Sequence, residues 1–447
     1  MKNIQVKVLT LFSNGKLTFS FCVCLQVIWL VAIWLTKATD NIEKILVLLL
    51  YTIGVGIFLY FVPENFLAAF NLRALQSNKR QFKLLMIAVI TVGSAYCIYQ
   101  EFQVLVAEIG PYDASLVVTR QGIATFFNRY EEMFWLGIQH PPLVPIINGI
   151  TMQIAGEGIV VARFISLGFG LGTVIALYKL GLELRDSTTG LLAALSFVLF
   201  PYFIRLSAAI SNDIQVTFFG ILTLLMAFRL LRTPTKTTAL IGGGAFALGL
   251  LCKYTLLLLY PVLLFTFFFD RRFKTVRQLL ALILITPTII FTLWLVCGYA
   301  IGLFDLQLTT LGKFASSQQS TPWAKWMFLE FISTRLPSAL GLYNLPIILL
   351  GFVSLVGKLT DQTNRFLFVW ILVFFIAFSL TLPDARYCMP AFPALAILMA
   401  DSLVRIRQYK PNIIWLLIAN CASTLYLFVD WHRSSHLFIG EFLNQMP

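Results

Sequence analysis

Charge is scarce in this chain, and histidine scarcer still. Of its 447 residues 12% are charged, three are histidine and 59% are hydrophobic, whereas a soluble domain carries roughly 25% charged and about 45–50% apolar residues. The deficit excludes an ordinary water-soluble enzyme. Nucleotide signatures are missing as well: there is no G-x-G-x-x-G and no P-loop, so nothing supports a nucleotide substrate. Seven cysteines lie in or beside apolar runs without C-x-x-C spacing, which points to neither a zinc site nor a disulfide framework. His432 and His436 stand four apart, but they lack a third ligand and sit among Trp431 and Arg433, so no metal and no cofactor is expected. The formal charge of +13 comes from scattered cations, with no basic stripe interleaved with aromatics, which argues against a nucleic-acid partner.

What the chain has instead is long apolar runs. Thirteen approach spanning length: Leu17–Leu35, Ile45–Val62, Phe82–Tyr99, Ile159–Leu182, Leu191–Leu206, Ile214–Leu231 and Ala239–Leu251, then Leu256–Phe269, Leu279–Ala300, Ala339–Val356, Phe366–Leu382, Met389–Val404 and Ile413–Val429. An all-α, polytopic membrane protein of about 12–14 helices is therefore predicted. Leu143–Ala155 reads as a re-entrant or interfacial helix, and Leu17–Leu35 is too long for a signal-peptide core, so it is read as a retained span. Residues 1–80 form an N-terminal two-helix hairpin with its linker, and residues 81–447 the core, with long loops at 101–158 and 301–338.

Orientation follows from the bias of Lys and Arg towards the cytoplasm. With the N-terminus inside, 21 of the 33 basic residues fall in cytoplasmic segments, and 14 of the 20 acids fall outside along with both long loops. Any chemistry is thus expected on the extracytoplasmic face.

The first long loop reads Gly110-Pro111-Tyr112-Asp113-Ala114-Ser115, then Gln139-His140-Pro141-Pro142-Leu143, then Val161-Ala162-Arg163-Phe164. Further along come Pro201 with Ser207 to Asp213, Gly242-Gly243-Gly244 leading to Cys252-Lys253, and Asp384-Ala385-Arg386-Tyr387 with Pro390 and Pro393. In this order, over about residues 82–410, the chain resembles the GT-C membrane glycosyltransferases, in particular their protein O-mannosyltransferase and aminoarabinose-transferase branch. The resemblance implies an inverting glycosyltransferase of a bacterial plasma membrane that uses a polyprenyl-phosphate sugar, lies among membrane lipid and serves an acceptor not readable from the sequence. The chemistry is coherent with that. Displacing a lipid phosphate at an anomeric carbon needs a carboxylate to take the acceptor proton and cations to hold the phosphate as it leaves.

The residues themselves leave alternatives. Asp113 is the candidate base, or the N-cap of a helix starting at Ala114; the family pattern there is Asp-Glu, and Ala114 replaces the second acid, with Glu101, Glu108, Glu131 and Glu132 in reach of that role. His140 is a structural histidine, or by resemblance a hydrogen-bond partner of donor phosphate or sugar. Lys253 either snorkels to the interface or meets the lipid phosphate. Arg386, beside Tyr387, has a fork suited to phosphate, or it pairs locally with Asp384. Asp213 caps its helix or contacts substrate. Arg163 and Arg205 contact the anionic donor, anchor helix ends, or pair with Asp113 and Glu157. The loop bearing Lys313, Gln318, Gln319, Trp323, Lys325, Trp326 and Arg335 suggests an interfacial amphipathic helix or a lid. The rival readings are a carrier for a lipid-linked anion and a non-catalytic relative of the transferase fold.

Overall fold

The computed structural model describes residues 106–132, 140–268, 273–315, 331, 336–341, 344–380 and 385–407. The hairpin expected in residues 1–80, the runs Phe82–Tyr99 and Ile413–Val429, Asp384 and the two C-terminal histidines lie outside the described residues. Within them every regular element is a helix, in the order α1 Val106–Asn128, α2 Leu143–Ala155, α3 Ile159–Leu184, α4 Ser187–Val198, α5 Pro201–Ala208, α6 Asn212–Arg232, α7 Lys236–Cys252, α8 Leu259–Phe268, α9 Phe273–Ala300, α10 Phe304–Ala315, α11 Leu336–Leu340, α12 Leu345–Val356, α13 Gln362–Leu380 and α14 Phe392–Arg407. Short 3₁₀ turns at Tyr130–Glu132, Tyr254–Leu258 and Met389–Ala391 link some of them.

Helix α3, α6, most of α9 and most of α13 are long and apolar enough to cross a membrane. Such a helix needs ~20 apolar residues, because lipid offers the backbone no hydrogen-bond partner. Two expected spans are broken. The run Leu191–Leu206 becomes α4 and α5, bent by 69°, since Pro201 starts a new helix at the position where its missing N–H costs nothing. Ala339–Val356 becomes α11 and α12, parted at Gly341, whose φ of 84° suits glycine. Leu143–Ala155 is a helix of its own, as read from the sequence.

Helix α6 is the axis of the body, packed on α3 along one side and on α7 along another. The α7–α9 seam is closed by the glycine run. A Cβ on Gly243 would lie 3.0 Å from the Leu282 carbonyl oxygen and 2.9 Å from Thr286 Cβ, so only glycine permits this spacing. Polar side chains set the helix starts: Asp186 accepts from Thr189 N–H at 2.8 Å, Thr235 from Thr238 N–H at 3.1 Å and Ser211 from Asp213 N–H at 3.1 Å.

At the end of the bundle where α3 finishes, ion pairs tie four helices together. Arg185 reaches Asp361 at 2.8 Å and Asp401 at 3.1 Å and also bonds Asn364, while Glu183 takes Arg232 at 2.9 Å and Arg229 at 3.5 Å. The opposite end, where α3 and α6 begin, holds the groups considered next.

Candidate functional site

Two chain breaks bring several of the predicted residues together. Helix α7 stops at Cys252, and Lys253 turns extended (φ −162°, ψ 134°) before the 3₁₀ turn, which lets its side chain leave the helix axis. It is almost fully buried and pairs with Asp213 at 2.5 Å. Snorkelling is therefore not its role: an ammonium inside the protein needs a carboxylate partner, and Asp213 supplies it. Asp213 in turn is not the cap of α6. Ser211 does that work, leaving the acid in the first turn, where the helix dipole favours a negative charge.

The second break is the turn at residues 385–388, closed by Cys388 N–H to Ala385 carbonyl at 3.2 Å and Met389 N–H to Arg386 carbonyl at 3.1 Å. Trp370 Nε1–H donates to the Pro390 carbonyl at 3.1 Å and pins the turn to α13. Tyr387 stacks on Phe378 at 5.4 Å, and its ring lies 4.4 Å from Lys253 Nζ, a cation–π contact. Lys253 is thus held by a carboxylate on one side and an aromatic face on another.

His140 completes the group. Tyr130, buried under Phe126, Phe127 and Trp294, donates its hydroxyl to the His140 carbonyl, and Pro141-Pro142 start α2 directly afterwards. Burial, then the charges of Lys253 and Arg386, push the imidazole pKa down to about 3. His140 is therefore neutral at physiological pH, and the two cations that act on it stand close by. Lys253, Arg386 and Asp213 together carry one net positive charge, an arrangement suited to an anion, with a neutral imidazole beside it to bond oxygen.

The remaining predicted residues are spread wider. Asp113 is not an N-cap: α1 begins at Val106 and carries Pro111 inside it, so Asp113 lies within the helix. It is exposed, and partial desolvation holds its carboxyl above the usual range. Lys253 and Arg386, not Asp113, are the charges felt by His140. Glu157 is paired by Arg120, whose Nε donates to Oε2 at 2.9 Å, and not by Arg163 or Arg205; this pair, unmarked by any motif, fastens α1 to the start of α3. Arg163 is fully buried in the second turn of α3. Arg205 lies 6.0 Å over the Tyr202 ring on α5. In the second long loop α10 is a helix, while residues 316–330, with Gln318 to Trp326, and Arg335 lie outside the described residues. Among the described residues no group of three His, Cys, Asp or Glu side chains is placed to hold a metal ion.

Comparison with known proteins defines the class. Residues 139–296 match the family model described as dolichyl-phosphate-mannose-protein mannosyltransferase; the match takes in His140, Arg163, Arg205, Asp213 and Lys253 and leaves out Asp113 and Arg386. The chain has the fold of the GT-C membrane glycosyltransferases, as the sequence resemblance implied. Among solved structures it is similar to ArnT from Cupriavidus metallidurans bound to undecaprenyl phosphate, with a TM-score of 0.54 and 16% identity over 76% of this chain and 64% of that one. It is also similar to the Archaeoglobus fulgidus oligosaccharyltransferase tethered with an acceptor peptide, with a TM-score of 0.53 and 12% identity over 77% of this chain and 55% of that one. The archaeal oligosaccharyltransferase AglB from Archaeoglobus fulgidus, in complex with an inhibitory peptide and a dolichol-phosphate, gives 0.50 and 13%, over 79% and 56%. The chain thus spans about two thirds or less of these proteins' lengths. No curated protein sequence matches it.

Proposed function

We propose that this chain is an inverting glycosyltransferase that moves a sugar from a polyprenyl-phosphate donor to an acceptor on the extracytoplasmic face of a plasma membrane. The observation that carries the reading is the buried Lys253 ammonium, paired with Asp213 at 2.5 Å and 4.4 Å from the ring of Tyr387, the residue that follows Arg386, at one end of the bundle. Similar structures hold undecaprenyl phosphate and a dolichol-phosphate, and those ligands have the headgroup this cation pair suits. The far end gathers Arg185, Arg229 and Arg232, in keeping with a cytoplasmic location for it.

In this reaction the donor tail stays in the bilayer, and its phosphate sits between Lys253 and Arg386, with His140 donating a neutral hydrogen bond. The acceptor hydroxyl attacks the anomeric carbon from the face opposite the phosphate. Its proton passes to the Asp113 carboxylate, the C1–O bond to phosphate breaks, and the electron pair leaves on the phosphate oxygen, where the cations stabilise it. Phosphate needs no general acid. Exposure of Asp113 suits a base that must meet an acceptor arriving from the aqueous side, and its raised pKa makes it a better proton acceptor than an ordinary aspartate.

Asp113→Asn is expected to abolish transfer, with donor still retained on purification. The check is mass spectrometry of co-purifying lipids alongside a radiolabelled-sugar transfer assay on membranes. Unchanged turnover in the variant would remove Asp113 as the base. Loss of polyprenyl-phosphate sugar from Lys253→Ala plus Arg386→Ala, with retention by the native chain, is the matching outcome for the phosphate site; bulk phospholipid alone in both would refute it.

A further inference from the structure

Around the first turns of α3 and α6 the structure buries polar atoms that have no partner. Asn148 is fully buried on α2 with both amide atoms unpaired, and Gln215 on α6, 1% exposed, has both of its amide atoms unpaired. Ser166 Oγ on α3, Thr255 Oγ1 just past Lys253 and Asn212 Oδ1 are in the same condition.

These atoms belong to one neighbourhood. Helices α3 and α6 run side by side in the same direction, with the Phe169 ring 5.5 Å from Phe218 and 5.6 Å from Phe219. Ser166 and Gln215 each sit one turn nearer the site end than those rings, on the faces that meet. Asn148 lies one turn from Met152, which packs with Ala162 and Ile210 at the beginnings of α3 and α6. Asn212 Nδ2 donates to the Cys252 carbonyl at 3.4 Å, joining this group to the residue before Lys253. Gln215 and Thr255 are each two residues from the Asp213–Lys253 pair.

Buried polar groups in native proteins are almost always bonded, so five side chains with no protein partner have donors and acceptors to offer a ligand or the water it displaces. Its chemistry is set by the groups. An amide offers two donors and an acceptor, and a hydroxyl offers one donor and two lone pairs, which together complement vicinal hydroxyls. A charged sugar would need a counter-charge here. Among the described residues the buried carboxylate of this neighbourhood is Asp213, already engaged by Lys253 at 2.5 Å and by Ser211 Oγ at 3.3 Å.

We infer that Asn148, Ser166, Gln215 and Thr255 form a subsite for the hydroxyls of a neutral sugar, not an amino sugar, on the donor whose phosphate Lys253 holds. The inference rests on the proposed phosphate site, and the test separates the two. Affinities of the detergent-solubilised full chain would be measured by native mass spectrometry for undecaprenyl phosphate, undecaprenyl-phosphate glucose and undecaprenyl-phosphate 4-amino-arabinose. The native chain should hold the glucose lipid at least tenfold more tightly than the bare lipid, and the amino sugar no better than the bare lipid. Gln215→Met and Asn148→Leu, close in volume, should each reduce the glucose increment to threefold or less with bare-lipid affinity unchanged.

A readout without ligand runs in parallel. Because these amides bond no other protein group, the two substitutions should leave thermal stability unchanged or raised; a fall in Tm would mark the amides as structural and overturn the subsite. So would an equal glucose increment in the variants, the absence of an increment in the native chain, or a preference for the amino sugar. If the native chain fails to bind bare undecaprenyl phosphate, or Lys253→Ala binds it as well as native, the phosphate reading itself falls and the subsite with it.

Discussion

His140 behaves unlike an ordinary histidine because it is buried beside two cations. Its pKa near 3 lies below the ordinary value of 6.5, so the unfolded chain binds the proton more readily between those limits. Stability from this residue is complete above about pH 6.5 and is lost as the pH falls from there towards 3. Thermal unfolding followed from pH 7 to pH 4 should show that decline, and His140→Gln should flatten it. For the same reason kcat/KM should show no limb near pH 6.5. With Asp113 as the proposed base, the acid limb should lie above the ordinary aspartate value of about 3.9. The Asp213–Lys253 pair carries a second residue-scale expectation. Lys253→Met alone strands a buried carboxylate and should cost about 3–5 kcal/mol. Adding Asp213→Leu should return most of that loss without restoring lipid retention, as read by Tm and co-purifying lipid.

At the scale of the element, close approach is the theme, and Gly243 is its most exacting instance. Gly243→Val would force methyl groups into the Leu282 backbone and Thr286, and should cost about 1–3 kcal/mol, the usual penalty of overpacking; detergent-melting curves would show it. Helices were the most legible part of the sequence because lipid demands an unbroken apolar run of fixed length. Ile159–Leu182 and Ile214–Leu231 were read to within two residues for that reason. The bend at Pro201 was not read, because the apolar run passes through it undisturbed, although proline at the first helical position was its signal. Asp113 and Asp213 were both open to reading as caps, and in each case the side chain's neighbours decided otherwise: Pro111 is carried inside α1, and Ser211 takes the cap of α6. Short motifs marked His140, Lys253 and Arg386. Their meeting depends on the packing of α2 against α3 and α7, and of α7 and the Met389–Ala391 turn against α6, and the pairings of Asp213 with Lys253, 40 positions apart, and of Arg120 with Glu157 have no local pattern at all.

Across the whole molecule the ion pairs that tie α3 to α6, α13 and α14 lie at one end of the bundle and the candidate site at the other. Arg185 joins α3 to α13 and α14 through two carboxylates and an amide, with its side chain 21% exposed and that of Asp401 13% exposed. Arg185→Ala should lower stability by roughly 3 kcal/mol, at the lower end for breaking a buried pair, and leave sugar specificity untouched; melting curves and the transfer assay read the two separately. At the other end, the carboxylate of Asp213 would, in the proposed reaction, bear on turnover as well as on folding. A donor phosphodiester carries one negative charge, and the spent lipid monoester carries up to two, so a site of bare cations would grip its product harder than its substrate. In the proposed reaction, Asp213 seated against Lys253 at 2.5 Å would compete with the departing phosphate for the ammonium as the phosphate's charge rises. Release of the spent lipid would then be favoured over its retention, and the site would be cleared for the next donor.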